Sequence, residues 1–149
     1  MLAVVRPHAW DLPLFLHVLG AMVLVGAVAT AALLALVAWR RPGVPVFGRA
    51  AFWTLLVVGA PAYVAMRIGG QWTYSKEGFS GSADPAWIKI GLAAADAGLL
   101  LLLLTTGFAF SWQRSGKIAA GRTVAVLTSV YLVLLAVAWV AMSAKWVVG

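Results

Sequence analysis

Four long apolar segments account for most of this sequence, and they restrict what the chain can fold into. They cover about residues 12–39, 50–68, 86–111 and 123–144. Each supplies the roughly 20 apolar residues that a helix needs to cross about 30 Å of hydrocarbon at 1.5 Å per residue. With 64% apolar side chains overall, they predict an all-α, polytopic membrane protein. We expect a single integral membrane domain, residues 1–149, built as a four-transmembrane-helix bundle.

The first segment must be compared with a secretory signal peptide, because the basic residue Arg6 precedes it. The apolar core of such a signal is about 7–15 residues long, whereas this segment continues to Trp39. We therefore expect an uncleaved first helix. The predicted location is a bacterial-type cytoplasmic (inner) membrane, which the chain crosses as a multi-pass protein.

The connections after the first and third segments are basic and contain no acid. Their six basic residues are Arg40, Arg41, Arg49, Arg114, Lys117 and Arg122. The opposite side has five basic residues, but Arg67 and Lys89 fall inside segment ends, and it also carries acids. Because connections rich in Lys and Arg tend to remain inside, both termini are predicted to be extracytoplasmic.

The connection between the second and third segments, residues 69–85, is the long one, and this orientation places it outside. It is rich in Gly and Ser, and Asp84 and Pro85 are predicted to be the N-cap and the first-turn proline of the third helix. Its length is typical of lids and binding loops, but a solvated connection explains it equally well.

Polar residues inside the segments are the candidate functional residues. The face of the first helix that carries His17 is rich in Gly and Ala, so we expect it to face the bundle. Asp96 lies near mid-bilayer, where a bare carboxylate costs at least ~2.5 kcal/mol. It must be protonated, hydrated or paired. Lys89, two turns earlier on the same face, is one candidate partner, and Thr128 or Ser129 of the last helix is another.

His17, Arg67 and Lys89 are predicted to lie at one depth, about a turn inside the outer boundary, on three different helices. That arrangement brings three nitrogen-bearing side chains to one pocket beneath the long connection, with Asp96 below. The alternative is that His17 is a solvated interfacial residue and that the two basic residues extend to the lipid headgroups. Both interpretations remain open from the sequence.

Part of the chain, residues 13 to about 105, resembles a known four-helix membrane superfamily. The resemblance is carried by three stretches: “HVLGAMVLVGAV”, “LLVVGAPAYVAM” and “PAWIKIGLAA”. The matching positions are His17 and Gly20, Gly59 and Pro61, and Trp87 and Lys89. The superfamily contains HemJ-type protoporphyrinogen oxidases, CopD-type copper-resistance membrane domains and related uncharacterised predicted integral membrane proteins.

In the HemJ branch the resemblance implies a membrane protein that binds haem b, with His17 and Lys89 as the functional residues. A neutral imidazole can ligate haem iron, and cationic Lys89 and Arg67 suit the carboxylates of a porphyrin. His17 is therefore the candidate metal ligand, and His17, Arg67 and Lys89 are the candidate cofactor-binding residues. Lys89 and Asp96 are the candidate catalytic residues.

The leading hypothesis is thus a haem- or porphyrin-binding membrane protein with a redox role on the outer-leaflet side. The alternative is a non-enzymatic membrane subunit or scaffold, as a homo-oligomer or in a larger membrane complex. A small transporter using Asp96, or a copper site using His17 with methionines, is a weaker hypothesis. The absence of cysteine excludes thiolate metal sites. The dispersed basic residues favour anionic lipid headgroups of the bilayer, and no nucleic acid is predicted as a partner.

Overall fold

The computed structural model describes residues 11–41, 45–79 and 84–144, and every regular element among them is helical. Helix α1 is Asp11–Arg40, α4 is Ala86–Ser115 and α5 is Ile118–Ala144. The second span consists of α2 (Val46–Trp53), a π-helical turn (Thr54–Gly59) and α3 (Ala60–Lys76). These elements give four helices long and apolar enough to cross a membrane. The prediction of an all-α bundle with four transmembrane helices is confirmed, and the extracytoplasmic location of the termini stays a prediction.

Each span packs against the spans before and after it in the sequence, and the first and last spans also pack against each other. Helix α1 packs against α3 on one side and against α5 on the other, and α5 packs along α4. The second span contacts α4 mainly through α2, and α3 has few contacts with α4. The bundle is therefore closed at the end formed by α2 and opens between α3 and α4 at the other end. We call the latter, which holds the end of α3 and the start of α4, the loop end.

Glycines bring the backbones of α1 and α3 into contact. A Cβ atom on Gly20 would lie 2.5 Å from the backbone nitrogen of Met66, and one on Gly69 would collide with the backbone nitrogen of His17. Helices pack this closely in a bilayer only where small residues meet. The bundle-facing surface predicted for α1 is confirmed. Its buried residues include Gly20, Leu24, Val28, Ala31, Ala32 and Ala35.

Pro61 in the second span predicts a kink, because a proline lacks the N–H that the helix ladder needs and its ring crowds the carbonyl four residues earlier. The π-helical turn ends two residues before Pro61. Within it, the hydrogen bond from the backbone nitrogen of Ala60 reaches back five residues to the carbonyl of Leu55. This wider turn is where the second span departs from a regular α-helix.

The connection between the second and third spans is shorter than the predicted loop 69–85. Helix α3 continues to Lys76, so residues 69–76 are helical. The glycines that indicated a loop are instead contact points with α1. Glu77 is the C-cap of this helix, and it is followed by Gly78 with a φ of 75°. The N-cap of α4 is Pro85.

Asp84 has a different role from the predicted helix cap. Its carboxylate accepts a hydrogen bond of 2.5 Å from the hydroxyl of Tyr74 on α3. Nearby, the ring of Phe79 lies 5.9 Å from that of Tyr74 and 6.2 Å from that of Trp87, measured between centroids. The polar bond and the aromatic contacts together tie the end of α3 to the start of α4.

The contact between α1 and α3 predicts that a single methyl group added at the interface will strongly destabilise the protein. Gly69→Ala should lower the free energy of unfolding by at least about 2 kcal/mol, because the new Cβ meets backbone that cannot rotate away. Gly26→Ala on α1 is the matched control, since nothing lies within 4 Å of a Cβ there, and it should change stability by less than about 1 kcal/mol. Unfolding of both variants in mixed micelles measures the difference, and equal stability would contradict the contact.

Candidate functional site

A side cavity of about 920 Å³ lies between α1 and α5 in the half of the bundle nearer the loop end. Helix α4 contributes Gly91, Ala94 and Ala95, and α3 contributes Met66. The lining is predominantly apolar, and the volume is in the range of about 300–1,000 Å³ that is usual for small-molecule sites. The cavity is therefore suited to an apolar molecule of cofactor size.

The side cavity is accessible from the lipid phase. Met22 and Trp139 line it, yet 68% and 71% of their surfaces are exposed. Because exposed apolar side chains in a membrane span face lipid, these residues mark an opening towards the bilayer. A molecule dissolved in the membrane can reach the cavity without passing through water.

His17 lines this cavity and is held in a defined orientation. Its Nδ1 lies 2.9 Å from the backbone carbonyl oxygen of Met66. A carbonyl oxygen only accepts hydrogen bonds, so this contact assigns the proton of a neutral imidazole to Nδ1 and leaves the lone pair on Nε2. Gly70 provides the space, since a Cβ there would lie 2.8 Å from Nδ1. The sequence correctly placed His17 in the bundle but gave no sign of the carbonyl partner.

Three methionines line the same cavity as His17. Met22 comes from α1, Met66 from α3 and Met142 from α5. Their positions in the sequence show no pattern, because three separate helices supply one residue each, so the sequence supported them only in the weaker hypothesis of a copper site. A thioether sulfur is a weak, soft ligand that can bind haem iron or Cu(I). The cavity thus combines one oriented imidazole with several thioethers.

Asp96 is paired, but with Arg67 rather than with Lys89. The Nη2 atom of Arg67 lies 2.8 Å from Oδ1 of Asp96, which joins α3 to α4 where the two helices separate. The hydroxyls of Thr128 and Ser129 instead donate to backbone carbonyls of their own helix, at Val124 and Ala125. The predicted need for a partner of Asp96 is therefore met by a cation on the neighbouring span.

The ion pair lies at the surface of the bundle, not in its core. The side chains of Arg67 and Asp96 are 34% and 70% exposed. Asp96 is about 15 Å of helix rise from Ala86, the first residue of α4. Among the helices described, this surface has nothing covering it, so the pair must meet lipid, water or a partner.

Lys89 is exposed on α4 and is not part of the cavity lining. Of the four predicted site residues, the structure brings together Arg67 and Asp96 in the ion pair, and His17 alone lines the cavity. The three nitrogen-bearing side chains are thus not gathered at one pocket. Arg67 is adjacent in sequence to Met66 but reaches α4, because the carboxylate there attracts its guanidinium. The catalytic and binding roles assigned to these residues stay predictions.

Two tyrosine hydroxyls lie close to the cavity. That of Tyr63 donates a hydrogen bond of 3.0 Å to the carbonyl of Ala95, which adds a second link between α3 and α4. That of Tyr131 is buried and has no hydrogen-bond partner among the described residues. The Tyr131 ring packs against Gly98, where a Cβ would lie 2.9 Å from it. An unpaired buried hydroxyl costs about 1–3 kcal/mol and indicates a water or ligand group nearby.

The fold defines the class of protein: the four apolar helices identify the chain as a multi-pass integral membrane protein. Comparisons of the chain with known protein families, with curated proteins and with solved structures found no match. The resemblance of residues 13–105 to the HemJ and CopD superfamily therefore stays a prediction.

The ion pair predicts that removing one of its two charges destabilises the protein more than removing both. Arg67→Gln should lower the free energy of unfolding by at least about 2.5 kcal/mol, because an unpaired carboxylate then remains in the membrane. Arg67→Gln combined with Asp96→Asn should recover most of that loss. Unfolding in lipid bicelles measures both, with Lys89→Gln as the control for removing a basic side chain. A double variant as unstable as Arg67→Gln alone would refute the pairing.

Proposed function

We propose that the protein binds haem or a related porphyrin in the side cavity, in a bacterial-type cytoplasmic membrane, with His17 as the iron ligand. The observation that carries the proposal is the hydrogen bond from Nδ1 of His17 to the carbonyl of Met66. Metal-ligating histidines nearly always donate their second ring N–H in this way, which fixes the ring and makes the other nitrogen a better ligand. His17 is therefore prepared to bind a metal through Nε2.

The cavity supports the same proposal through its size and its chemistry. About 920 Å³ of mainly apolar space that opens to lipid suits a flat apolar ring better than a small polar substrate. Met22, Met66 and Met142 line the cavity and could provide a thioether ligand beside His17, since iron held by histidine and methionine is an established type of electron-transfer haem. Bound haem would supply one-electron chemistry to the site.

The proposal gives no role to Lys89 in the cofactor site. Lys89 and Arg67 do not line the cavity, and Arg67 is engaged by Asp96. Their assignment to porphyrin carboxylates therefore has no support from the geometry. The proposed role is the binding of haem in a redox function, without an assigned catalysed reaction.

A visible spectrum tests the proposal. The protein purified after expression with added haem should show a Soret band, and His17→Ala should lose or shift it because Nε2 is removed. His8→Ala is the matched control, since His8 is the other histidine of the chain and lies outside the described residues. Far-UV circular dichroism should remain helical in both variants. A wild-type protein without the band, or an unchanged band in His17→Ala, would refute haem ligation.

A second candidate function is that of a non-enzymatic membrane subunit, and the exposed ion pair favours it. Asp96 is 70% exposed on the surface between α3 and α4, and ionisable residues inside membranes rarely face lipid. A further helix against this surface, from a second copy or from another protein, would remove the pair from lipid. The ion pair also supplies a structural reason for Asp96, which weakens the transporter hypothesis.

Cross-linking tests this second candidate, and the absence of cysteine makes each introduced thiol unique. A photo-cross-linker attached to Ala93→Cys, one turn before Asp96 on α4, should capture a protein partner in native membranes. The same reagent on Val133→Cys is the control, because Val133 is 65% exposed on α5. A product at twice the chain mass would identify a second copy. Capture of lipid alone at both positions would contradict the subunit hypothesis.

A further inference from the structure

The end of the bundle opposite the loop end has charges that no acid of this chain can balance. Its six basic residues are Arg40, Arg41, Arg49, Arg114, Lys117 and Arg122. We call this the basic end. The four acids of the protein are Asp11, Glu77, Asp84 and Asp96, and all belong to the loop end or its half of the spans. Anionic groups from outside the chain must therefore neutralise the basic end.

Two of these cations line a small cavity of about 220 Å³ between α1, the end of α4 and the start of α5. Arg41 follows α1, and Arg122 lies in the second turn of α5. The guanidinium of Arg122 is 5.2 Å from the centroid of the Trp39 ring. This cation–π contact positions the charge at the cavity without neutralising it. In the described part of the chain, no carboxylate pairs with either arginine.

Trp112 adds a neutral hydrogen-bond donor to the same cavity. Its indole is largely buried and lies against Gly121, where a Cβ would be 3.2 Å from Nε1. Gly116, with a φ of 65°, ends α4 and turns the chain directly into α5. The tight turn places the first turn of α5 beside the cavity, since Ile118 and Gly121 line it. Helix N-termini present backbone N–H groups that favour anions, in addition to the two arginines.

We propose that this cavity binds the phosphate group of an anionic phospholipid. Two guanidinium groups, each able to bind phosphate oxygens in a bidentate manner, match that group, and the indole N–H adds a further donor. The wall that faces the middle of the bundle is apolar and is formed by Ala35 and Ala38 of α1. The acyl chains of a bound lipid can continue from there along the span. Trp39 is exposed beside the opening, as expected for a ring at the level of the lipid headgroups. Basic pockets between transmembrane helices are known headgroup sites.

Native mass spectrometry of the purified full chain, titrated with phosphatidylglycerol, tests the proposal. Wild-type protein should retain phosphatidylglycerol and should not retain phosphatidylcholine at the same concentration. Arg41→Gln combined with Arg122→Gln should weaken retention about thirtyfold, the effect expected for two basic residues near an anionic lipid. Trp112→Phe keeps an aromatic side chain but removes the indole N–H, and it should weaken retention several-fold.

The control is Arg49→Gln combined with Arg114→Gln, which removes two charges from the same end outside the cavity. This variant should retain the lipid nearly as well as wild type. An equal loss in both double variants would mean diffuse attraction to the basic end and would overturn the site. Retention of phosphatidylcholine, or competition by millimolar inorganic phosphate that abolishes lipid retention, would overturn the lipid assignment. Thermal unfolding of all variants in detergent checks that each is folded.

Discussion

The contact between the backbones of α1 and α3 is the interaction on which the rest of the candidate site depends. Gly20 and Gly69 allow the two helices to touch, and any larger residue would separate them. At this distance, the His17 imidazole reaches the Met66 carbonyl across the interface and is fixed by it. A helix carbonyl normally serves its own helix alone, so this second bond requires another helix to come very close. The geometry of the metal-binding candidate is therefore a consequence of helix packing.

The other side of α3 is less closely packed, because α3 has few contacts with α4. Within the spans, two polar links join these helices, Arg67 with Asp96 and Tyr63 with the Ala95 carbonyl. Such links are directional, and long polar side chains can join two helices that are too far apart for close apolar packing. They hold the loop end together while leaving space within it. The side cavity lies in this less compact half of the bundle, as a ligand site requires.

Much of the fold was accessible from the sequence, because hydropathy over 20 residues reports directly on membrane spans. Small residues on the His17 face also predicted correctly which side of α1 is buried. Sequence reasoning was less successful where several helices contribute. It treated Gly69 and Gly70 as the start of a loop, because a glycine at a helix contact and a glycine in a turn look alike in sequence. It assigned no partner to Asp96 on the second span, and it ranked a site of His17 with methionines low, because their grouping around one cavity is not visible in their spacing.

The two ends of the molecule are chemically distinct, and this separates the two proposed sites. His17 and Ala35 are 18 residues apart on α1, or about 27 Å of helix. The side cavity depends on packing and on one oriented imidazole, so it is suited to a mainly apolar ring within the hydrocarbon. The cavity at the basic end depends on charge that the chain leaves unbalanced, so its ligand must be an anion. Because the two cavities share no lining residue, a lipid bound at one end leaves the site at the other end free for its own ligand.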